Sequence, residues 1–83
     1  MPNVDNYPTL RKGAENEYVT LVQTWLKKLK YDIGTYGINK DGIDGEYGTK
    51  TVNAIRAFQK SCGIKVDGIC GPNTWTMLSK AIA

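Results

Sequence analysis

The sequence predicts an all-α fold, a small three-helix bundle that contains two Asp-Gly turn repeats. The chain has 83 residues, which is the length of one small domain. Three segments carry apolar residues at spacings of three and four, the spacing along one face of an α-helix. The pattern apolar-Asp-Gly-x-x-Gly-x-x-Thr begins at Ile43 and again at Val66, and a segment containing a glutamine precedes each copy. We therefore expect two overlapping units, each made of a helix, an Asp-Gly turn and a second helix, so that three helices are needed.

The first helix is expected from about Asn16 to Leu29. Asn16 is a suitable N-cap, because its side-chain oxygen can accept hydrogen bonds from the first turn. The face for the core comprises Val19, Val22, Leu26 and Leu29. A neighbouring stripe comprises Tyr18, Leu21 and Trp25, and a stripe that wide needs a second partner. Two partners are open: the N-terminal segment 7–10 folding back over the stripe, or a ligand or another domain.

A glycine marks the end of the second helix, and a Gly-Pro pair marks the start of the third. The second spans about Thr49 to Cys62, and Gly63 is suited to a left-handed C-terminal cap. The third opens at Gly71-Pro72, because proline fits the first helical position, and it runs to the end of the chain. We assign residues 1–9 to an N-terminal arm or linker and residues 10–83 to the domain.

Composition excludes several classes of function. Histidine is absent, which removes the usual general base and the Ser-His and Cys-His nucleophile pairs, so most enzymes are disfavoured. Eleven basic and eight acidic residues give a net charge of +3 with mixed signs, which does not favour a nucleic-acid partner. The chain lacks an apolar run of about 18 residues, so we expect no membrane insertion.

No metal site and no cofactor are predicted. An acidic, glycine-containing loop lies at residues 31–44, but an EF-hand alignment would place Gly37 or Lys40 where the first carboxylate must be. Cys62 and Cys70 are too few for a zinc site. They form either a disulfide that closes a short loop or two small buried thiols.

The two Asp-Gly turns have a structural interpretation that needs no ligand. The aspartate can accept hydrogen bonds from backbone N–H groups, glycine tolerates positive φ, and Thr51 and Thr74 can anchor the turns. Tyr47 and Cys70 occupy equivalent places and are expected to point inward. For Gln23 and Gln59 two roles are open: satisfying loop backbones from within, or facing a groove and binding a ligand amide or sugar hydroxyl.

Several motifs follow one another across about residues 10–80: Leu10-Arg11-Lys12-Gly13, the two Asp-Gly turns, Ala57-Phe58-Gln59 and Gly71-Pro72-Asn73-Thr74-Trp75. In this order they resemble the motifs of the peptidoglycan-binding module of the PG_binding_1 type. The resemblance implies a non-catalytic three-helix module attached to a bacterial or phage wall-lytic enzyme. Lys30 stands where the family usually has glycine, and the loop 32–43 is longer than in many relatives.

The partners implied are bacterial peptidoglycan, through its glycan or its stem peptide, and an attached catalytic domain. We expect a monomer at the bacterial wall or outside the cell, delivered within a larger protein or released by lysis. The candidate ligand-binding residues are Tyr36, Asp44, Tyr47, Arg56 and Gln59.

Three other functions are weighed against wall binding. An interaction or regulatory domain that packs on its parent enzyme is the main alternative, motivated by the stripe on the first helix. A hydrolase using Asp44 and Asp67 as paired carboxylates is disfavoured, because both residues lie in equivalent structural turns. Nucleic-acid binding would rest only on scattered lysines.

Overall fold

Three helices connected by two turns form the domain, which confirms the all-α prediction. The computed structural model describes residue 4 and residues 6–37 and 39–83. Its helices are α1 (Glu17–Lys28), α2 (Thr49–Cys62) and α3 (Pro72–Ile82), and in these described residues the extended segments form only isolated bridges. Residues 1–3 and 5 of the predicted arm, and Ile38 of the long loop, lie outside the described residues.

The helix ends follow from the residues that flank them. Asn16 caps α1, with its Oδ1 accepting from the backbone N–H groups of Tyr18 at 2.9 Å and Val19 at 3.2 Å. Gly63 ends α2 in the left-handed conformation, at φ 72°, and the N–H of Ile64 closes the cap on the carbonyl of Gln59. Proline occupies the first turn of α3. These three boundaries were predicted correctly.

The segment before α1 ties the two Asp-Gly turns together. Leu10 exchanges both backbone hydrogen bonds with Cys70, at 3.0 and 2.8 Å. Three residues further on, Gly13 donates to the carbonyl of Tyr47, and Tyr47 donates to the carbonyl of Ala14. The two bridges contact equivalent positions of the two turn repeats, so one short strand-like segment fixes both turns against the same core.

The side chain of Tyr7 covers the aromatic stripe of α1. Its ring centroid lies 5.0 Å from that of Tyr18 and 4.9 Å from that of Trp75, and Trp25 meets Trp75 edge-on at 5.5 Å. The indole N–H of Trp75 donates to the carbonyl of Pro8 at 2.8 Å. Of the two partners left open for the stripe, the N-terminal segment is therefore the one that the structure shows.

Tyr47 and Cys70 point inward, as their equivalent places predicted. Both are buried, and burial raises the pKa of the Tyr47 phenol and of the Cys70 thiol well above their ordinary values. The hydroxyl of Tyr47 donates to the carbonyl of Gly68 at 2.7 Å and so links the first turn to the second.

Cys62 and Cys70 are free thiols rather than a disulfide. Among the described residues, no helix is long and apolar enough to cross a membrane.

Lys30 carries backbone strain at the end of α1. Its φ is 71°, a left-handed conformation that costs a residue with a side chain about 1–2 kcal/mol. We expect Lys30→Gly to raise the free energy of unfolding by about 0.5 kcal/mol, because relief of this strain exceeds the added entropy of glycine in the unfolded chain. Urea unfolding of the variant beside the parent checks this, and a clear loss of stability would contradict it.

Candidate functional site

Gln23 is the centre of the first Asp-Gly turn. Its side chain is buried, and its Oε1 accepts from the backbone N–H groups of Asp44 and Gly45 at 3.1 and 3.0 Å. Its Nε2 lies 3.0 Å from Asp44 Oδ1, 2.9 Å from the carbonyl of Glu46 and 3.1 Å from Thr51 Oγ1. One side-chain amide thus fixes the position of the first Asp-Gly turn relative to the start of α2.

Gln59 repeats this arrangement in the second turn. Its Oε1 accepts from the N–H groups of Asp67 and Gly68, while its Nε2 reaches Asp67 Oδ1, the carbonyl of Ile69 and Thr74 Oγ1 at 2.9 to 3.0 Å. Both glutamines thus satisfy loop backbones, the first of the two roles left open for them, and ligand binding by either amide stays a prediction. The two turns are therefore pre-formed and rigid.

The carboxylate of each turn belongs to this network. Asp67 Oδ1 accepts from the N–H of Ile69 at 2.9 Å as well as from Gln59. Both hydrogen bonds lower the pKa of the Asp67 carboxyl, and the one from the backbone N–H of Ile69 has the larger effect. Because the pKa is lower in the folded than in the unfolded state, the carboxylate contributes stability at neutral pH that is lost as the pH falls through the folded-state value.

The two units differ in the length of the segment between glutamine and aspartate. Gln23 reaches Asp44 across 21 positions, whereas Gln59 reaches Asp67 across 8, so 13 more residues separate these two side chains in the first unit, and most of them belong to the loop that follows the helix. The longer loop turns back on itself where the N–H of Gly42 donates to the carbonyl of Tyr36 at 2.9 Å. It thereby adds a wall beside the first turn that the second turn lacks.

A groove of about 460 Å³ lies between this loop, the first turn and the start of α2. Its volume falls within the range of about 300–1,000 Å³ that is usual for small-ligand sites. The corresponding depression at the second turn has only about 190 Å³. We call the larger one the first-turn groove; it is lined by Gln23, Ile33, Tyr36, Gly42, Asp44, Glu46, Gly48, Thr49, Lys50, Thr51 and Asn53.

The structure brings together two of the five candidate site residues. Tyr36 and Asp44 line the first-turn groove, and Tyr36 is the most exposed large apolar side chain described, at 69%. Tyr47 and Gln59 are each 1% exposed and are held in the interior by the hydrogen bonds above. Arg56 is exposed on α2 beside Gly68 of the second turn, outside this groove.

Charges of opposite sign line the groove. Asp44 and Glu46 come from the turn, and both are exposed. Lys50 comes from α2, where its Nζ lies 3.9 Å from Asp32 Oδ2 in a solvent-exposed pair that holds it only weakly. Sequence reasoning did not single out Glu46 and Lys50. A comparison of the repeats could have found them, because Ile69 and Asn73 occupy the equivalent places in the second unit.

Comparison with known proteins assigns the chain to a family. Residues 15–78 match the family described as "Putative peptidoglycan binding domain". The chain belongs to this family. Within the peptidoglycan-binding family, the chain is similar to a probable N-acetylmuramoyl-L-alanine amidase of Bacillus licheniformis, with 42% identity over 89% of the chain and 20% of the amidase.

Two solved structures share the fold. The SleB N-terminal domain superposes with a TM-score of 0.78 at 34% identity, covering 92% of this chain and 94% of that domain. The endolysin of the Burkholderia phage AP3 gives a TM-score of 0.73 at 35% identity, covering 89% of this chain and 26% of the endolysin. The chain thus spans about a fifth to a quarter of the amidase and the endolysin. It is a peptidoglycan-binding module of the kind carried by wall hydrolases, and not a catalytic domain.

Proposed function

We propose that the first-turn groove is the surface with which this module binds peptidoglycan. The observation that carries the proposal is the 13-residue difference between the repeats, which accompanies a groove at one of two otherwise equivalent turns. The glutamine network holds the floor of the groove before any ligand arrives, so binding does not have to order it. The exposed ring of Tyr36 offers an apolar face for a sugar or a peptide side chain.

The module would act by tethering. Weak binding of one small domain keeps an attached catalytic domain at high effective concentration beside a repeating polymer. We propose that the module works as a monomer within a larger wall-lytic or wall-remodelling protein, at the wall or outside the cell. Delivery could follow export of the parent protein or release by lysis, and neither membrane insertion nor nucleic acid has a part in this role.

Tyr36→Ala is expected to weaken binding to purified sacculi by about three- to tenfold, because an aromatic contact contributes about 0.5–1.5 kcal/mol. Stability should stay within about 0.5 kcal/mol of the parent, since the side chain is 69% exposed. Sedimentation with purified sacculi measures the binding.

Val66→Ala is the matched control, because Val66 is exposed and lies outside the groove, and it should bind like the parent. Arg56→Ala tests the candidate residue that lies outside the groove, and we expect it to bind like the parent as well. Loss of binding in Arg56→Ala with none in Tyr36→Ala would move the site from the first-turn groove to the outer side of α2.

The alternative, a regulatory domain that packs on its parent enzyme, loses its motivating observation, because Tyr7 covers the stripe of Tyr18 and Trp25. It still makes a distinct prediction. A regulatory domain added in trans would inhibit the catalytic domain and stay in the supernatant of the sacculus assay. Binding to sacculi without inhibition supports the tethering role.

A further inference from the structure

The charges in the first-turn groove bear on which part of peptidoglycan it binds. Asp44 and Glu46 line the side formed by the turn, and Lys50 lines the side formed by α2. The N-cap of α2 is Gly48, which provides no side-chain hydrogen bond, so the first N–H groups of this helix lack a side-chain partner. The groove therefore has an acidic side and a side that favours anions.

Among the described residues, neither carboxylate is fully engaged by hydrogen bonds. Asp44 accepts both of its side-chain hydrogen bonds at Oδ1, from Gln23 Nε2 and from the N–H of Glu46. Glu46 contributes its backbone to the turn, through its N–H and its carbonyl, and its carboxylate has no partner in the part of the chain that the structure describes. The stem of Lys50, on α2, lies near Gly34, and the long pair with Asp32 is the ion pair that its ammonium group makes with the described residues.

Resting on the proposed function, we infer that the groove recognises the stem peptide of peptidoglycan and not its glycan strand. A stem peptide carries free carboxylates and, in its diamino acid, a free amino group. The amino group fits beside Asp44 and Glu46, and a carboxylate fits beside Lys50 and the start of α2. The N-acetylated sugars of the glycan offer no amino group, and their lactyl carboxyl is taken up by the amide bond to the stem peptide. Among the described residues that line the groove, Tyr36 is the exposed aromatic ring on which a sugar can stack.

The test uses three soluble ligands and isothermal titration calorimetry. The first is a stem peptide with both charges free, the second is the same peptide with its diamino-acid amine acetylated, and the third is a glycan strand from which an amidase has removed the peptides and on which the lactyl carboxylates freed by that cleavage have been capped as methylamides. We expect the free peptide to bind, acetylation to weaken it by about three- to tenfold, and the stripped glycan not to compete. Equal binding of the stripped glycan would overturn the inference.

Two variants locate the charges. E46Q should weaken the free peptide and leave the affinity of the acetylated peptide unchanged, because the contact with the amine is already lost in that ligand. K50M should weaken both peptides, and its effect should disappear when the peptide carboxylates are amidated. The matched controls are E17Q and K60M, which change exposed charges outside the groove. E46Q and K50M that bind like the controls would overturn the inference.

Failure of this inference and failure of the proposed function are distinguishable. If sacculi bind the parent but not Tyr36→Ala, and stripped glycan competes while the peptide does not, the groove is a glycan site and only the inference fails. If sacculi do not bind the parent at all, the proposed function itself fails.

Discussion

Gln59→Leu is expected to lower the free energy of unfolding by about 3–4 kcal/mol. Leucine fills a similar volume but removes five hydrogen bonds, and it strands the N–H groups of Asp67 and Gly68, while the carbonyl of Ile69 keeps only the hydroxyl of Thr74, at 3.4 Å. Each buried polar group left without a partner costs about 1–3 kcal/mol, and partial access to water reduces the sum. A domain of this size has only about 4–12 kcal/mol of stability.

Urea unfolding followed by circular dichroism measures this effect. The control is Lys60→Leu, an exposed neighbour on the same helix, which should change stability by no more than about 0.5 kcal/mol. Gln23→Leu removes the same five hydrogen bonds in the first turn and should weaken sacculus binding as well. A loss below about 1 kcal/mol in Gln59→Leu would show that the amide does not hold the turn.

Gly42→Ala is expected to abolish most wall binding while the three helices remain. A Cβ atom at this position would lie 2.6 Å from the carbonyl oxygen of Ile33 and 2.7 Å from that of Gly34, and φ is 83°. The backbone must therefore move, which breaks the hydrogen bond from Gly42 to Tyr36 and changes the shape of the groove. We expect a loss of about 2–3 kcal/mol in stability and about a tenfold or greater loss in affinity.

Gly13→Ala tests whether the loss of wall binding in Gly42→Ala comes from backbone strain alone or from the changed shape of the groove. Gly13 also has a positive φ, at 100°, but a Cβ there meets nothing within 4 Å. It should cost about 1 kcal/mol from backbone strain alone and leave wall binding unchanged. Equal binding by Gly42→Ala and Gly13→Ala would show that the 33–42 loop does not shape the ligand site.

The helices and their ends were predictable because their signals are local. Asn16, Gly63 and Pro72 act on the backbone within a few residues of themselves. That each glutamine satisfies the backbone of its own turn could also be predicted from the sequence, because a buried amide must find partners and each glutamine is followed by a turn rich in backbone N–H groups. Because the Asp-Gly motif occurs twice, the same argument applied to both turns.

The site itself depended on tertiary contacts that the sequence does not contain. Tyr47 was a reasonable ligand contact by its place next to the turn, but its hydroxyl reaches the carbonyl of Gly68 in the other repeat, and that direction follows only from how the two units pack. Arg56 lies on the exposed side of a correctly predicted helix, yet the groove lies nearer its start. The groove volume depends on where Gly42 turns the long loop back.

The most direct test of the account is a ¹H–¹⁵N chemical-shift titration of the module with a soluble muropeptide that contains both sugar and stem peptide. We predict saturable shifts confined to the amides of Tyr36, Asp44, Lys50 and Asn53, which belong to residues lining the first-turn groove, with the amides around Asp67 unmoved. Shifts centred on Asp67 and Asn73 of the second turn, or on Tyr18 of α1, would contradict the assignment of wall binding to this groove.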